Sequence, residues 1–233
     1  MTAGNSPLTT LGGGVPGMGF YTVVVPWQQP TGEGSLLRER TMRTVCTHLT
    51  ESLQHWTFTP PLADWSRGAA RNAGALTAQT PVVVFNDADT IVSKEQIERA
   101  AHIAYTSDGL VYAYDLYLRL TEASSEAMMR GEQPHWPIPE DEFVNAPSMG
   151  CAAISLACFR ELGGFDEQFR GWGYEDVDFA WRAGERWPVR RVPGPAFHLW
   201  HGGRRDDDSP LDADPVEVLV NKAYLIEKDG DRG

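Results

Sequence analysis

Two β-branched runs constrain this chain most, Tyr21-Thr22-Val23-Val24-Val25 and Pro81-Val82-Val83-Val84-Phe85. Neither alternates apolar with polar, as a strand with one wet face would, so each reads as a strand buried on both sides. Such strands belong to parallel sheets covered by helices. The intervening and following segments supply those helices. From Leu36 to about Leu53, the positions Leu37, Val45, Leu49 and Leu53 are compatible with one helical face. Ser66 to Thr77 is Ala-rich, with Ser66 placed to cap its first turn. Ser93 heads Lys94-Glu95-Gln96 in the same way, and Ile97, Ala100, Ala101 and Ala104 follow at helical spacing. Helix alternating with buried strand is the α/β rhythm, so the expected fold is a single, mostly parallel twisted sheet flanked by helices.

The rest of the chain is read more coarsely. Trp56 to Phe58 is a weak strand signal, and Leu110 to Leu120 reads as one strand with Tyr112, Tyr114 and Leu116 on one face. Thr121 to Pro147 is polar, Pro-containing and unpatterned, the form of a lid, a binding loop or disorder. Met149 to Leu156 is apolar again, Ala157 to Leu162 looks like a short helix stopped by Gly163-Gly164, and Val216 to Ile226 suits a terminal helix. With 233 residues, 42% of them hydrophobic, the chain can bury one sizeable core. The expected organisation is a flexible tail over 1–19, one domain over 20–204, and an acidic linker with a helix packed on the domain over 205–233.

Charge and hydropathy exclude several classes. Asp plus Glu number 32 against 20 Lys plus Arg, a formal charge of -12, and no basic stripe interrupts it, so a nucleic-acid partner is not expected. No stretch of about 18 apolar residues could span a bilayer, and residues 1–19 lack the basic start and apolar centre of a secretory signal. The expected setting is cytoplasmic. Cys46, Cys151 and Cys158 are odd in number and not in zinc spacing, so they read as reduced, mostly buried thiols.

Chemistry enters at Asn86-Asp87-Ala88-Asp89, directly after the second buried run. The carboxyl ends of parallel strands are where an α/β sheet gathers its ligands. An Asp-x-Asp turn can hold a divalent ion and leave positions open for diphosphate oxygens, although Asp and Asn are also ordinary turn formers. The order VVVP, SRGAARNAG, VVVFNDAD resembles the nucleotide-sugar half of GT-A fold (nucleotide-diphospho-sugar transferase) glycosyltransferases, of the family 2-like kind. There an opening strand ends in Pro, an R-N-x-G helix follows, and the next strand ends in D-x-D. The segment SMGCAAISLACFRELGGFDEQFRGWGYEDVDFAWR is similar to one shared by β-1,4-galactosyltransferase-type and polypeptide N-acetylgalactosaminyltransferase-type enzymes. Together these blocks span about Tyr21 to His201.

The resemblance implies a metal-dependent transferase that moves a sugar from a nucleotide-sugar donor, a UDP-sugar by preference, to a hydroxyl acceptor. It implies that Pro26, Trp27 and Gln28 border the nucleobase, and that Arg67, Arg71 and Asn72 reach the nucleotide or fix the D-x-D loop. Asp87 and Ala88 then lie along the nucleotide sugar, Asp87 meeting the ribose or the ion, and Asp89 is the direct metal ligand. Late in the chain, His198 and His201 resemble the metal histidines of these transferases, with xylosylprotein-type galactosyltransferases carrying a doublet there. Both could ligate, or one could ligate while the other packs. Nitrogen beside carboxylate and phosphate suits Mn²⁺, with Mg²⁺ as the alternative.

Gly171-Trp172-Gly173-Tyr174-Glu175-Asp176 precedes Val177, Ala180 and Trp181 at helical spacing, which places the two acids at a helix N-terminus. Capping and dipole stabilisation alone account for acids there. In the β-1,4-galactosyltransferase type the last Asp of W-G-x-E-D is the general base and the Glu helps hold the acceptor. Carried over, Asp176 is the base, and Trp172, Gly173, Tyr174 and Glu175 form the acceptor contact, Tyr174 departing from the small or variable residue of the motif. Asp at the last position favours inversion, since the retaining N-acetylgalactosaminyltransferases carry W-G-G-E-N. A retaining protein glycosyltransferase and a non-catalytic nucleotide-sugar-binding module are the alternatives. A glycan, a protein or a lipid-linked intermediate would serve as the acceptor.

Overall fold

In the computed structural model the described residues are 19–29, 35–53, 56–59, 62, 65–132, 143–144, 149–171, 173–201 and 216–230. Both β-branched runs are strands, β1 (Tyr21–Val25) and β3 (Val82–Asn86), paired in parallel with Val23 opposite Val84. Val23 to Val25 and Val82 to Phe85 are fully buried, as unbroken apolar strands require. Between them run α1 (Ser35–Ser52), β2 (Trp56–Phe58) and α2 (Arg67–Thr77). Ser66 caps α2 by accepting from the Ala69 N–H. Gly74 on α2 lies against Val24, where any β-carbon would collide with the Val24 side chain. That contact seats α2 on β1 and fixes the direction in which Arg71 points.

After β3 come β4 (Thr90–Val92), α3 (Lys94–Thr106) with Ser93 as its cap, β5 (Val111–Tyr112), β6 (Leu116–Arg119) and α4 (Glu122–Met129). Then follow β7 (Phe143–Val144), β8 (Cys151–Ser155), α5 (Leu156–Leu162), α6 (Glu175–Arg186), β9 (Arg190–Arg191), β10 (Pro195–His198) and α7 (Val216–Gly230). The central sheet has the order β2-β1-β3-β8-β5-β9, and β8 alone runs against the others. A second sheet, β4-β10-β6-β7, stands beside it and was not anticipated from the sequence. Its β10 runs antiparallel to β4, with His198 opposite Thr90, which carries the late histidines to the Asp-x-Asp turn.

Two expectations are corrected. Leu110 to Leu120 is two strands, β5 in the central sheet and β6 in the second. The chain changes sheets at Ala113 to Asp115, where Asp115 accepts from the Gly194 N–H at 2.9 Å. Everything from Leu110 to Tyr114 is fully buried, so hydropathy alone carries no mark of the bend. Thr121 to Pro147 is not wholly unpatterned, because it contains α4, capped by Thr121, whose hydroxyl accepts from the Ser124 N–H. Residues 133–142 and 145–147 of that stretch, 1–18 of the expected tail, and 205–215 of the expected linker lie outside the described residues. Among the described residues no helix is long and apolar enough to cross a membrane, and Cys46, Cys151 and Cys158 are free thiols, the last two buried.

Candidate active site

The Asp-x-Asp turn follows β3 and is closed by Asn86, a fully buried amide that donates to the carbonyls of Asp87 and Thr90 at 2.9 and 3.0 Å. The Asp87 N–H donates to the Gly150 carbonyl at 2.8 Å, tying the turn to the start of β8. The two carboxylates of the turn then part company. Asp87 faces Arg71, and Asp89 faces the histidines.

Arg71 is 1% exposed and forks between two chains of the site. Its Nη2 donates to Asp87 Oδ1 at 2.7 Å and its Nη1 to Glu175 Oε1 at 3.1 Å. Glu175 is itself buried, and its Oε2 accepts from the Gly173 N–H at 3.1 Å. One guanidinium therefore holds the turn after β3 and the loop before α6 in a fixed relation. Burial works against its charge, but Asp87, Glu175 and Asp176 outweigh that and keep it protonated.

On the other side, His198 Nε2 and His201 Nε2 stand 3.5 and 3.3 Å from Asp89 Oδ2. One ligand atom from each of the three residues falls within 4.8 Å of the others, a spacing that suits a metal ion. Burial opposes ionisation of Asp89, yet the facing imidazoles prevail and hold its carboxyl well below the ordinary range. The Leu199 N–H donates to the Asp89 carbonyl at 2.8 Å, and the His198 carbonyl accepts from the Leu120 N–H at 2.9 Å, so the backbone pins both ends of the cluster. Two nitrogens and one carboxylate make a borderline-hard donor set with room for further ligands, which fits Mn²⁺ better than Ca²⁺.

The loop before α6 turns sharply, with positive φ at Gly171, Gly173 and Tyr174 (62, 104 and 70°). Tyr174 is the one non-glycine residue among the described residues to adopt that region, a strained geometry of the kind stored at functional sites. It delivers Glu175 and Asp176 to the first turn of α6. Asp176 accepts from the Met149 N–H at 3.3 Å and its own neighbour Val177 N–H at 2.9 Å. Burial first and then the Glu175 charge push its carboxyl up to about 6, while Arg71 and Arg67 pull the other way.

The remaining expected residues are dispersed. Arg67 acts on Asp176 through its charge. Asn72 faces away from the turn and pins the loop after α5, exchanging hydrogen bonds of 2.9 and 2.8 Å with the Phe165 backbone. Pro26, Trp27 and Gln28 continue β1 toward solvent, from buried Pro26 to exposed Gln28, with the Trp27 N–H 3.4 Å from Thr59 Oγ1. Ala88 packs against the core. Asp87 is not in the cluster formed by Asp89, His198 and His201. Trp172 lies outside the described residues.

Helix α7 supplies contacts that sequence reasoning missed. Asn221 is 2% exposed and donates to the Arg170 and Gly173 carbonyls at 2.8 and 3.0 Å while accepting from the Arg170 N–H at 3.1 Å. Lys228 reaches Asp166 at 2.6 Å and Asp178 at 2.8 Å. The helix thus clasps the loop that carries Glu175 and Asp176. The available signal was an Asn between Val218 and Leu225 on the face that buries both, a position where a polar residue needs a partner. Asn221→Ala leaves three loop groups unpaired in a dry site and is expected to cost about 1–3 kcal/mol. Urea unfolding with an unchanged m-value would read that loss, and faster amide exchange at Arg170 would locate it.

Comparison with known proteins gives the family and the fold. The family described as glycosyltransferase like family 2 matches residues 39–199, and the chain belongs to it. Two validoxylamine A glucosyltransferases of Streptomyces hygroscopicus, from subsp. jinggangensis (strain 5008) and subsp. limoneus, are each 28% identical over 143 aligned positions. Those alignments take in 49% of this chain and 34% and 32% of the relatives, so the chain spans about a third of their length. Among solved structures, GalNAc-T7 with UDP, GalNAc and Mn²⁺ superposes with a TM-score of 0.56 at 16% identity, covering 89% of this chain and 48% of that one. The catalytic domain of Drosophila β1,4-galactosyltransferase 7 in complex with xylobiose gives 0.50 at 14% identity, with 87% and 79% covered. The fold is therefore GT-A, with a mostly parallel central sheet and flanking helices.

Proposed function

We propose that the chain is a metal-dependent glycosyltransferase that moves a sugar from a UDP-sugar to an acceptor hydroxyl with inversion, Asp176 acting as general base. The observation that carries this reading is the Arg71 fork, which joins the Asp-x-Asp turn to the Glu175–Asp176 corner at 2.7 and 3.1 Å. A donor-holding group and a proton acceptor are thereby built as one unit. A structural turn and a helix cap that merely happened to lie nearby would have no need of it.

Asp89, His198 and His201 are the residues that would hold Mn²⁺, and the ion, when bound, would offset charge on the departing diphosphate. Asp87, Ala88, Arg67 and the Pro26–Gln28 segment would border the nucleotide. Asp176 would take the acceptor proton as the acceptor oxygen attacks the anomeric carbon, while Gly173, Tyr174 and Glu175 shape the corner in which that hydroxyl sits. The relatives named glucosyltransferases, and the fold neighbours captured with UDP, GalNAc and Mn²⁺ or with xylobiose, support a nucleotide-sugar donor and a glycan acceptor.

The test is turnover and binding of a panel of UDP- and GDP-sugars with Mn²⁺ or with chelator, using wild type and Asp89→Ala. One donor is expected to bind and turn over only with metal, and Asp89→Ala is expected to weaken metal-dependent donor binding roughly ten- to a hundredfold or more, by analogy with losses around metal ligands. Donor binding that ignores both chelator and Asp89→Ala would refute the metal assignment. A product of retained anomeric configuration would refute inversion.

A further inference from the structure

Helix α6 buries only part of the apolar stripe that its sequence offers. Its dry face is Asp178, Phe179 and Ala183, Asp178 being held there by Arg182 at 2.7 Å and Lys228 at 2.8 Å. Val177 and Ala180 are half-buried, Ala180 at the edge of the core, and Trp181 remains 46% exposed. They form one wall of a groove of about 550 Å³, whose other wall is Tyr112, Val189 and Arg191. Asp176 lines the same groove, and Glu185 adds a second acid. The Arg191 guanidinium lies 4.4 Å from the centre of the Tyr112 ring, which holds it across the strands β5 and β9.

We propose that this groove continues the acceptor site beyond Asp176 and binds a sugar ring of a carbohydrate acceptor, with its C–H face on Trp181. The proposal rests on the transferase reading of Asp176. Three features select a sugar. The groove combines an exposed indole with a rim of Asp176, Glu185 and Arg191, matching a ligand that has an apolar face and a hydroxylated edge. An acyl chain would meet three charged side chains that it could not hydrogen-bond. The volume falls within the roughly 300–1,000 Å³ of small-molecule sites. Small residues also keep it open: at Gly184 an added β-carbon would already touch Val189 at 3.5 Å.

The experiment is calorimetric titration, in the presence of UDP and Mn²⁺, with p-nitrophenyl β-glycosides of glucose, galactose, xylose and N-acetylglucosamine and with the disaccharides cellobiose and xylobiose. At least one is expected to bind wild type, and Trp181→Ala and Ala180→Leu are each expected to weaken it at least tenfold, the first by removing the platform and the second by filling the floor. Leu76→Ala, which removes an 80% exposed apolar side chain from α2, should bind as wild type does. Trp181 is exposed and Ala180 is half-buried at the edge of the core, so thermal unfolding of both variants reports whether they fold. Failure of every glycoside to bind, equal binding by wild type and both variants, or binding of octanoate or a Ser-containing peptide in place of glycosides overturns the proposal. Glycoside binding through Trp181 without turnover of any nucleotide sugar would remove the transferase reading and leave a carbohydrate site. Donor turnover with glycoside binding insensitive to Trp181 would do the reverse.

Discussion

Asp176→Asn is expected to lower sugar transfer roughly a hundred- to ten-thousand-fold, the usual contribution of a positioned general base, while leaving donor binding within about twofold of wild type. The amide keeps the shape of the carboxylate and its place in the first turn of α6, and its single oxygen can still accept from the Met149 or the Val177 N–H, which in wild type donate to different oxygens of the carboxylate. What it loses is the ability to take a proton. The pH profile makes the assignment sharper. Burial and the Glu175 charge set the Asp176 carboxyl at about 6, so the catalytic form is the ionised one above that pH. Activity should therefore rise with pH through about 6 and level off above it, falling about tenfold per unit well below. The measurement is kcat/KM for the acceptor at saturating donor and Mn²⁺, so that occupancy of the donor and metal sites does not enter. Wild type should show the acidic limb and the residual activity of Asp176→Asn should lack it. An unchanged limb in the variant would assign the titration to another group.

The same residues explain what could and could not be read from the chain. The strands β1 and β3 announce themselves because a run buried on both faces needs no partner to be recognised, and the caps Ser66 and Ser93 act over three residues. The corner at Glu175 and Asp176 was visible for the same reason, since glycines and acids at a helix start are local features. Contacts between distant segments were not visible. Asp178 looks like a solvent residue until Lys228, fifty positions on, is brought beside it and joins Arg182 in holding its buried carboxylate. The Asp-x-Asp turn shows a similar limit. Nothing in a three-residue motif says that Asp87 will turn to Arg71 and Asp89 to the histidines, because that division depends on α2 lying on β1 and on β10 pairing with β4.

Arg71→Ala is the substitution expected to cost most stability. Asp87 and Glu175 are 13% and 4% exposed, so removing the cation between them strands two carboxylates in a poorly solvated site. Breaking a buried pair by deleting one partner costs about 3–5 kcal/mol, far more than the pair contributes when compared with an apolar replacement. Arg71→Lys should recover part of the loss, since an ammonium restores charge but cannot fork to two carboxylates. Adding Glu175→Gln to Arg71→Ala should also recover part of it, because one stranded charge is then gone, giving a coupling of about 0.5–3 kcal/mol in the double-mutant cycle. The sign of the pH dependence follows from the same stranding. Stranding costs only while the carboxyls carry charge, so the deficit of Arg71→Ala relative to wild type should be full near pH 7. It should shrink as pH falls and be gone only well below about 4, where the carboxyls are protonated in both states. Denaturant unfolding of wild type, Arg71→Ala, Arg71→Lys, Glu175→Gln and the double variant at pH 5 and pH 7 measures all of this. A deficit under about 1 kcal/mol at pH 7 would mean that water reaches the fork, and with it the claim that one guanidinium locks the two halves of the site would fall.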